Sequence, residues 1–519
     1  MFKRLIYFFF LLSIVPPFYS CAGARLSSHF VSSENPFGKS DSLEHHAVKR
    51  ELRGVWIATA FGIDWPKTTN SALQRASLDS LFREIKRKKF NAVFFQVRVR
   101  ADVLYPNRFE PIHEYLTGTF GKEPDYDPVA FAIDCAKRHG LQFHAWFNTL
   151  IVRGKNFSKV SQGVPYIWQT HPEWIDPRAS KNPDWRDVWL NPTLPEVQAY
   201  LKTLIADFAH RYSPDGIQLD DYLRYPSKDF PDSLAFATQN PAKLPLPDFR
   251  RDIINRIVAE IADTLVKIKP HLQFGVTPIG VYRRVDSEPA MESKTEVYQD
   301  SREWTKRRYC DYLAPQIYFH LGPTTKAERE KKQFNPAFEK LVNDWAENKN
   351  YRHLYVGLGT YKPAVKAEWR AQVNVVRNSG AEGFIFYPYS SIAELDSLFD
   401  SEALPPSMPW KSDTIPPTPI VISIMKQDSL VVVSLQISNA EEAKIRGVNL
   451  YHITPVGLDS GEMNRDDAQR PRERLLLSLL PLQNGMIRVR GLQSGESLRI
   501  RVMDWYGNES KGSEILVVP

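Results

Sequence analysis

Short apolar stretches of strand length alternate with segments of helical spacing from about residue 50 to about residue 390, and this alternation restricts the fold more than any other feature. Eight such stretches occur, separated by seven segments of helical spacing. Strands that alternate with helices predict a parallel sheet. Eight repeats favour an α/β protein built as a closed (β/α)8 TIM barrel over a doubly wound sheet. The predicted strands are LRGVWIAT (52–59), NAVFFQVR (91–98), LQFHAWFN (141–148), GIQLDD (216–221), FGVTPIG (274–280), DYLAPQIYF (311–319), HLYVGLG (353–359) and EGFIFYPY (382–389).

The first residues of the chain have the layout of a secretory signal. Two basic residues precede the apolar run Leu5–Val15, which is too short to span a bilayer. We predict a signal peptide over 1–20, acylation of Cys21 by lipoprotein processing, and a polar tether over 21–48. The protein would then be exported across the inner membrane and lipid-anchored in the bacterial cell envelope, in the periplasm or at the outer membrane. A plain secretory signal without a lipid is the alternative.

The alternation of strand and helix patterns ends after the predicted barrel, which we place at 49–400. A proline-rich linker follows at 401–417. Short strands with β-sandwich spacing then fill 418–519, which predicts a small all-β module of immunoglobulin or fibronectin type III kind. This module contains no chemical motif, so we interpret it as a spacer or as an accessory that faces the substrate of the barrel.

Composition excludes several classes of function. The net charge of +7 falls to +5 (7 − 2) once Lys3 and Arg4 leave with the signal, and no dense Lys/Arg run predicts nucleic-acid binding. No strand is followed by a phosphate-binding glycine motif, so we expect no cofactor. Cys135 and Cys310 lie in or beside apolar segments and predict buried thiols rather than a disulfide or a metal site. The 12 Trp and 22 Tyr suit a carbohydrate binder or a large core.

Alternation along each predicted strand assigns every second side chain to the barrel axis. In GIQLDD the apolar Ile217 and Leu219 face the helices, so Gln218 and Asp220 face the axis. The same rule places polar side chains at the carboxyl ends of several strands, where barrel enzymes assemble their sites. A structural polar layer is the alternative for any single member. The members of this polar ring are Arg98, Asn148, Asp220, Gln316 and Tyr318.

The stretch DGIQLDDYLRYP contains two adjacent carboxylates. Asp220 is predicted to point into the mouth of the barrel, whereas Asp221 points away if the strand stays regular. A bend at the end of the strand would turn Asp221 inward. The alternative role for Asp221 is to pair with Arg224 or to cap the following loop.

Several motifs together resemble the glycosyl hydrolase-like family 10, a family of bacterial secreted or lipoprotein (β/α)8 proteins. The resemblance covers about residues 50 to 390. The matching stretches are ELRGVWIATAFGIDWP, NAVFFQVRVRADVLYP, YDPVAFAIDCAKRHGLQFHAWFN, WLNPTLPEVQAYL, YSPDGIQLDDYLRYP, FGVTPIG and YLAPQIYF.

The resemblance implies a glycosidase barrel and, through its characterised relatives, a substrate made of peptidoglycan glycan strands stripped of their stem peptides. It assigns Asp220 and Asp221 to the family's FDDY-type stretch. It also matches Arg98 and Asp102 to QVR…AD, and Asn148 to the HAW.N stretch.

Glycoside hydrolysis usually needs two carboxyl groups. Asp220 is expected to be one of them, as a general acid whose pKa a neighbouring carboxylate raises. The predicted fifth and seventh strands end in TPIG and GLGT, without a carboxylate. The second group is therefore Asp221, Asp102, Asp64 or another loop residue. The 2-acetamido group of the substrate is a further alternative, with Tyr318 steadying its oxygen.

The remaining candidate residues are expected to bind substrate. Trp56, Trp146 and Tyr318 are candidate sugar-stacking walls, because aromatic faces pack on sugar rings. Arg98 and Arg224 are candidates to bind the lactyl carboxylate of muramic acid, or else they pair with the aspartates.

Two classes of function follow from these features. The first is a cell-envelope glycoside hydrolase that cleaves an amino-sugar polymer, with the membrane reached through the lipid anchor. The second is a non-catalytic glycan-binding lipoprotein whose barrel has lost its chemistry. The carboxylate pair at Asp220 favours the first class, and the carboxylates missing from the fifth and seventh strands favour the second.

Overall fold

The computed structural model describes residues 50–153, 159–179, 187–395, 398–437, 444–454 and 472–519. The predicted signal peptide, the tether and Cys21 lie outside the described residues. Within the described ranges, no helix is long and apolar enough to cross a membrane.

Eight parallel strands close into a barrel in the order β1-β10-β9-β8-β7-β6-β3-β2, which confirms the predicted fold. The first strand pairs with the second and with the last, and this pairing closes the sheet. Two further strands, β4 and β5, form an antiparallel hairpin after the third barrel strand. In chain order the strands are β1 (Leu52–Ile57), β2 (Ala92–Arg98), β3 (Gln142–Phe147), β4 (Ile151–Arg153), β5 (Asp187–Trp189), β6 (Gly216–Leu219), β7 (Gln273–Val276), β8 (Tyr312–Leu313), β9 (His353–Leu358) and β10 (Gly383–Phe386).

Helices follow the barrel strands as the periodicity predicts. Local sequence fixes their ends: the Asp127 carboxylate accepts from the backbone N–H groups of Val129 and Ala130, and Pro128 occupies the first helical position. The helices are α1 (Ser71–Arg87), α2 (Pro128–Arg138), α3 (Ile167–Thr170), α4 (Pro195–Arg211), α5 (Ser233–Thr238), α6 (Leu246–Ile268), α7 (Ser293–Glu296), α8 (Ser301–Lys306), α9 (Lys326–Glu330), α10 (Phe338–Glu347), α11 (Pro363–Asn378) and α12 (Tyr389–Ile392).

Side chains alternate between two apolar cores, as the strand pattern predicts. Val93 and Phe95 of β2 belong to the large core between sheet and helices, whereas Phe94 belongs to the cluster inside the barrel. The interior is filled by rings, so neighbouring strands need glycine there: a Cβ on Gly275 would lie 2.1 Å from the Tyr312 ring. Cys135 and Cys310 are free and buried, which confirms the prediction. The interior cluster consists of Leu52, Trp56, Ala92, Phe94, Tyr312, Ala314, Tyr355 and Ile385.

The C-terminal residues form two antiparallel sheets around a separate apolar core. One sheet has the order β11-β12-β15 and the other β14-β13-β16-β17. Their assignment to the fibronectin type III kind and the domain boundaries drawn above stay predictions. The strands are β11 (Ile420–Gln427), β12 (Leu430–Gln436), β13 (Ile445–Thr454), β14 (Arg472–Leu480), β15 (Met486–Arg490), β16 (Ser497–Asp504) and β17 (Leu516–Val517).

This module docks on the amino-terminal end of the barrel instead of extending as a spacer. Arg446 of β13 forms a buried ion pair with Asp215, which immediately precedes β6. Its Nη2 also donates to the carbonyl of Leu141, just before β3, at 2.9 Å. From the linker, Trp410 Nε1 donates to Asp311, just before β8, at 2.8 Å. The linker and the module therefore contact the end of the barrel opposite the mouth.

Candidate active site

Asp220 is the first residue after β6 and is 1% exposed at the floor of the mouth. Its backbone N–H donates to the carbonyl of Phe147 in β3, which fixes the end of the strand. Oδ1 accepts from the backbone N–H and the hydroxyl of Thr149, at 3.1 and 3.2 Å. Oδ2 is buried and has no hydrogen-bond partner among the described residues. One carboxyl oxygen is thus anchored, and the other is left without a partner.

Asp221 turns inward because the chain bends directly after β6. The backbone N–H of Leu223 donates to the carbonyl of Asp220, which closes a turn. Gln316, beyond the end of β8, donates from Nε2 to Asp221 Oδ1 at 2.8 Å. Gln299 donates to the carbonyls of Asp221 and Leu223 and holds the loop. The strand does not stay regular, so both carboxylates reach the mouth.

The two carboxyl groups perturb each other. Burial, and then the negative charge of Asp221, raise the pKa of Asp220 well above its usual value. Burial also raises the pKa of Asp221, but the positive charge of Arg224 and the hydrogen bond from Gln316 oppose that rise. Adjacent carboxyls that share a site cannot both ionise easily. Asp220 therefore holds a proton more readily than Asp221 does.

A layer of hydrogen-bonded side chains lies under the pair. Trp56 donates from Nε1 to Gln218 Oε1 across the barrel at 2.6 Å, and it is only 2% exposed. Gln96 donates to Asn148 Oδ1 at 3.0 Å and accepts from the backbone N–H of Thr59. Trp56 and Asn148 thus belong to the floor that supports the mouth. The expectation that Trp56 forms a stacking wall was wrong for this reason.

Arg98 has a different role from the one expected. The strand is irregular between Gln96 and Arg98, and the side chain is 1% exposed. Its Nε donates to both carboxylate oxygens of Glu110, and Nη1 donates to the carbonyls of Asn148 and Thr149. With these donors occupied, Arg98 positions the loop that carries Thr149, and no donor of this ion pair is directed at a substrate.

The two loop aspartates proposed as alternatives are also engaged in structural bonds. Asp102 is fully buried and accepts from Arg153 Nε at 2.8 Å, and it lies 3.1 Å from His113 Nδ1. Asp64 accepts from the backbone N–H groups of Ala58 and Ser390, both at 2.8 Å. Each carboxylate fastens neighbouring loops, so the structure favours Asp221 as the second carboxyl group.

An aromatic wall flanks the pair on one side. Tyr318 stacks on Tyr387 with 5.8 Å between ring centroids and 11° between planes. The Trp146 and Tyr361 rings meet the same Tyr387 edge-on, at 6.4 and 5.8 Å. Tyr387 was missed in the sequence, although strand alternation in EGFIFYPY places it on the inward face two residues after Ile385. Trp146 and Tyr318 are half-buried here, as a stacking surface requires.

A second group of aromatic rings lies on the segments that follow β3 and β6. Trp189, at the end of β5, meets the Tyr222 ring at 5.3 Å between centroids. The Arg224 guanidinium lies over the Trp189 ring at 4.7 Å. Trp189 was missed because it lies in a short hairpin outside the eightfold alternation. Two groups of aromatic rings therefore lie at the same end of the barrel as the carboxylate pair.

Truncating the central ring of the first wall should weaken substrate binding. We expect Tyr387→Ala to raise KM roughly two- to tenfold, since aromatic pairing is worth about 0.5–1.5 kcal/mol beyond buried area, with a smaller change in kcat. Steady-state kinetics on a soluble glycan measures this effect. Tyr387→Phe keeps the ring and should retain the wild-type KM. Equal losses in both variants would assign the effect to the hydroxyl group and contradict a stacking role.

A (β/α)8 barrel with two neighbouring carboxyl groups of raised pKa and with aromatic rings at the carboxyl ends of its strands has the features of a glycoside hydrolase. The chain belongs to the glycosyl hydrolase-like 10 family, whose model matches residues 51–371. Family membership supports an enzyme acting on a polysaccharide over the alternative of a barrel that only binds glycan.

The chain is also similar to individual glycosyl hydrolases in sequence and to a solved glycoside hydrolase domain in fold. The chain is 31% identical over 407 residues to glycosyl hydrolase YngK of Bacillus subtilis (strain 168), covering 71% of this chain and 76% of that protein. It is 28% identical over 355 residues to glycosyl hydrolase DigH of Escherichia coli (strain K12), covering 63% and 77%. The solved glycoside hydrolase domain of PgaB (BpsB) from Bordetella bronchiseptica is 15% identical, with 68% and 97% coverage and a TM-score of 0.46.

Proposed function

We propose that the protein hydrolyses glycan strands of peptidoglycan from which the stem peptides have been removed, with Asp220 and Asp221 as its catalytic carboxyl groups. The observation that carries the proposal is the buried Asp220 Oδ2, which has no partner among the described residues, in a carboxyl group whose pKa burial and the neighbouring Asp221 raise. A carboxyl group that keeps its proton near neutral pH is what a general acid needs.

The two carboxyl groups have different roles in this proposal. Asp220 donates its proton to the glycosidic oxygen as the bond to the leaving sugar breaks, and a water molecule then adds to the anomeric carbon and returns a proton to the Asp220 carboxylate. Asp221 stays ionised with support from Gln316 and Arg224, and it stabilises the positive charge that develops on the sugar ring. Thr149 holds Asp220 Oδ1, so that the protonated oxygen keeps one orientation.

The aromatic rings of the mouth and the family support the proposed substrate class. Tyr387 and Tyr318 stack on each other and are half-buried, which suits packing against the rings of a sugar chain. The resemblance to glycosyl hydrolase-like proteins implies peptide-stripped peptidoglycan. The predicted secretory signal would bring the enzyme to that polymer.

A bell-shaped pH profile is the expected outcome of these roles. As pH rises through the raised pKa of Asp220, the acid loses its proton, and kcat/KM should fall on the alkaline side. As pH falls through the pKa of Asp221, that carboxylate is protonated, and kcat/KM should fall on the acid side. Rates on a soluble glycan between about pH 4 and pH 10 measure both limbs. A profile that stays flat through the alkaline range would contradict Asp220 as the acid.

The substrate is tested by product release from purified peptidoglycan. One sample is treated first with an amidase that removes stem peptides, and the other is left intact. We expect soluble oligosaccharides from the stripped sample with the wild-type protein. Release from neither sample would overturn the proposed substrate, and equal release from both would show that stem peptides do not matter.

We also propose that Cys21 is acylated and anchors the protein in the cell envelope, with residues 21–48 as the tether. The apolar run that ends just before PPFYSC supports this proposal. Metabolic labelling with a radioactive fatty acid in a bacterial host should label the wild type and leave Cys21→Ser unlabelled. Labelling of both proteins, or of neither, would overturn the proposed anchor.

A further inference from the structure

Arg224 lies in the loop that carries the catalytic pair, and it is nine-tenths buried, with 9% exposed. Within the described part of the chain, its hydrogen bond is from Nη1 to the carbonyl of Tyr225, at 3.2 Å. Nε is buried without any partner there, and no carboxylate reaches salt-bridge distance. The Trp189 ring covers one face of the guanidinium at 4.7 Å. The group is thus held in one plane with most of its donors unused.

An unpaired buried guanidinium is unfavourable for the folded protein. Burial lowers the pKa of Arg224, and the negative charge of Asp221 only partly offsets this. Arg98 shows the opposite arrangement, because its donors are satisfied by Glu110 and by backbone carbonyls. The sequence suggests both Arg98 and Arg224 as partners of a substrate carboxylate. Of these two, Arg224 is the one whose guanidinium N–H groups are mostly without an acceptor among the described residues.

We infer that Arg224 forms a subsite for a carboxylate carried by the glycan, in this substrate the lactyl carboxylate of a muramic acid residue. The inference rests on the proposed function. A planar guanidinium presents paired N–H groups that match the two oxygens of a carboxylate. Trp189 and Tyr222 lie beside it and would pack on the same sugar. A glycan with carboxylates would supply the anion that Arg224 lacks.

A second explanation for Arg224 is that it only keeps Asp221 ionised. In that case its removal would raise the pKa of Asp221 and shift the acid limb of the pH profile upward. The loss would then be the same for every glycan, with or without carboxylates. A carboxylate subsite instead affects only substrates that carry the carboxylate, so the two explanations give different results.

The test compares stripped glycan strands with the same strands after their carboxylates are converted to neutral amides. For each protein, kcat/KM is measured on both glycans and expressed as a ratio. We expect the wild type to prefer the carboxylate form by about 10- to 100-fold, the usual effect of a charge-assisted pair. Arg224→Gln should lose this preference, and Arg224→Lys, which keeps the charge without the planar fork, should retain part of it.

Arg352 at the opposite end of the barrel provides a matched control. It is 8% exposed, lies over the Trp410 ring at 4.7 Å and donates to the carbonyl of Tyr351 at 3.2 Å. Arg352→Gln therefore removes an equally buried guanidinium far from the mouth. We expect it to keep the wild-type preference between the two glycans.

The possible outcomes separate this inference from the proposed function. If the wild type cleaves neither glycan, the proposed function fails, and binding of both glycans to Asp220→Asn then decides the inference. Tighter binding of the carboxylate form, lost when Arg224→Gln is added, supports it. A wild-type preference that survives Arg224→Gln overturns it, as does an equal loss on both glycans with a shifted acid limb.

Discussion

Asp220→Asn is expected to lower kcat by about 10²- to 10⁴-fold, the usual contribution of a general acid. Asparagine cannot protonate the leaving oxygen, but it retains the shape of the protonated carboxyl group. Its side-chain oxygen can still accept from Thr149, as Asp220 Oδ1 does now. The loss should therefore appear in kcat with little change in KM. Single-turnover kinetics on stripped glycan measures it.

The same substitution is expected to stabilise the protein at alkaline pH. The pKa of Asp220 is raised in the folded state, because burial and Asp221 disfavour its charge. Between the unfolded value of about 4 and the raised folded value, the folded protein holds a proton that the unfolded chain releases, so stability falls as pH rises. Asparagine has no such loss. The Tm difference between variant and wild type should therefore grow from acid to alkaline pH.

Two results would contradict these roles for Asp220. A kcat within about tenfold of wild type would remove it as the acid, since general acid catalysis contributes at least about 10²-fold. A Tm difference that does not change with pH would show that the carboxyl group titrates normally in the folded protein. Asp221→Asn serves as the comparison variant. It should also lose activity, but its pH profile should lack the acid limb, whereas the profile of Asp220→Asn should lack the alkaline limb.

The barrel and the position of Asp220 could be predicted because both depend on local sequence. Period-two alternation in GIQLDD placed Gln218 and Asp220 on the axis, and the structure confirms both. The same alternation is sufficient to place Tyr387, which was overlooked only because no motif marked it. A slip of one residue would exchange the side chains that pack against the helices with those that fill the barrel, so the register of such strands is robust.

Two other residues at the ends of strands, Asp221 and Arg98, could not be placed in this way. Asp221 turns inward because the backbone N–H of Leu223 donates to the carbonyl of Asp220 and closes a turn. Gln316, beyond the end of β8, donates to the Asp221 carboxylate and holds it there. Arg98 is bound by Glu110, whose position depends on the conformation of a loop. Alternation applies only while the strand stays regular, so these side chains depend on contacts that a single segment does not encode.

The sequence contains no local pattern that predicts the docking of the C-terminal module on the barrel. Asp215 and Arg446 lie 231 residues apart, and each looks in the sequence like an ordinary charged residue. Both are more than nine-tenths buried in the folded protein. Nothing in the pattern around either residue predicts this contact, although Asp215 belongs to the same PDGIQLDD stretch that delivers Asp220.

Removing Arg446 should produce a large loss of stability. Burial alone would raise the pKa of Asp215, but the charge of Arg446 and the bonds it donates lower it below the usual value. Arg446→Met keeps much of the side-chain volume but leaves that carboxylate buried without its cation. Breaking a buried ion pair costs about 3–5 kcal/mol. Urea unfolding at neutral pH should show this decrease in the free energy of unfolding.

A double-mutant cycle separates the ion pair from the rest of the interface. Adding Asp215→Asn to Arg446→Met removes the unpaired charge, so part of the lost stability should return. Arg501→Met is the control, because it breaks a partly exposed pair with Glu473 and should cost no more than about 1 kcal/mol. An Arg446→Met loss as small as that of the control would contradict a structural role for the buried pair.

The number of unfolding transitions then shows whether the docked module stabilises the barrel. β6 is bounded by Asp215 at one end and by Asp220 at the other, so a firmly docked module would stabilise the strand that carries the catalytic pair. We expect Arg446→Met to unfold in one transition at lower urea, with the Trp signals of barrel and module changing together. Two separated transitions would show that the module detaches alone and that β6 keeps its place without it.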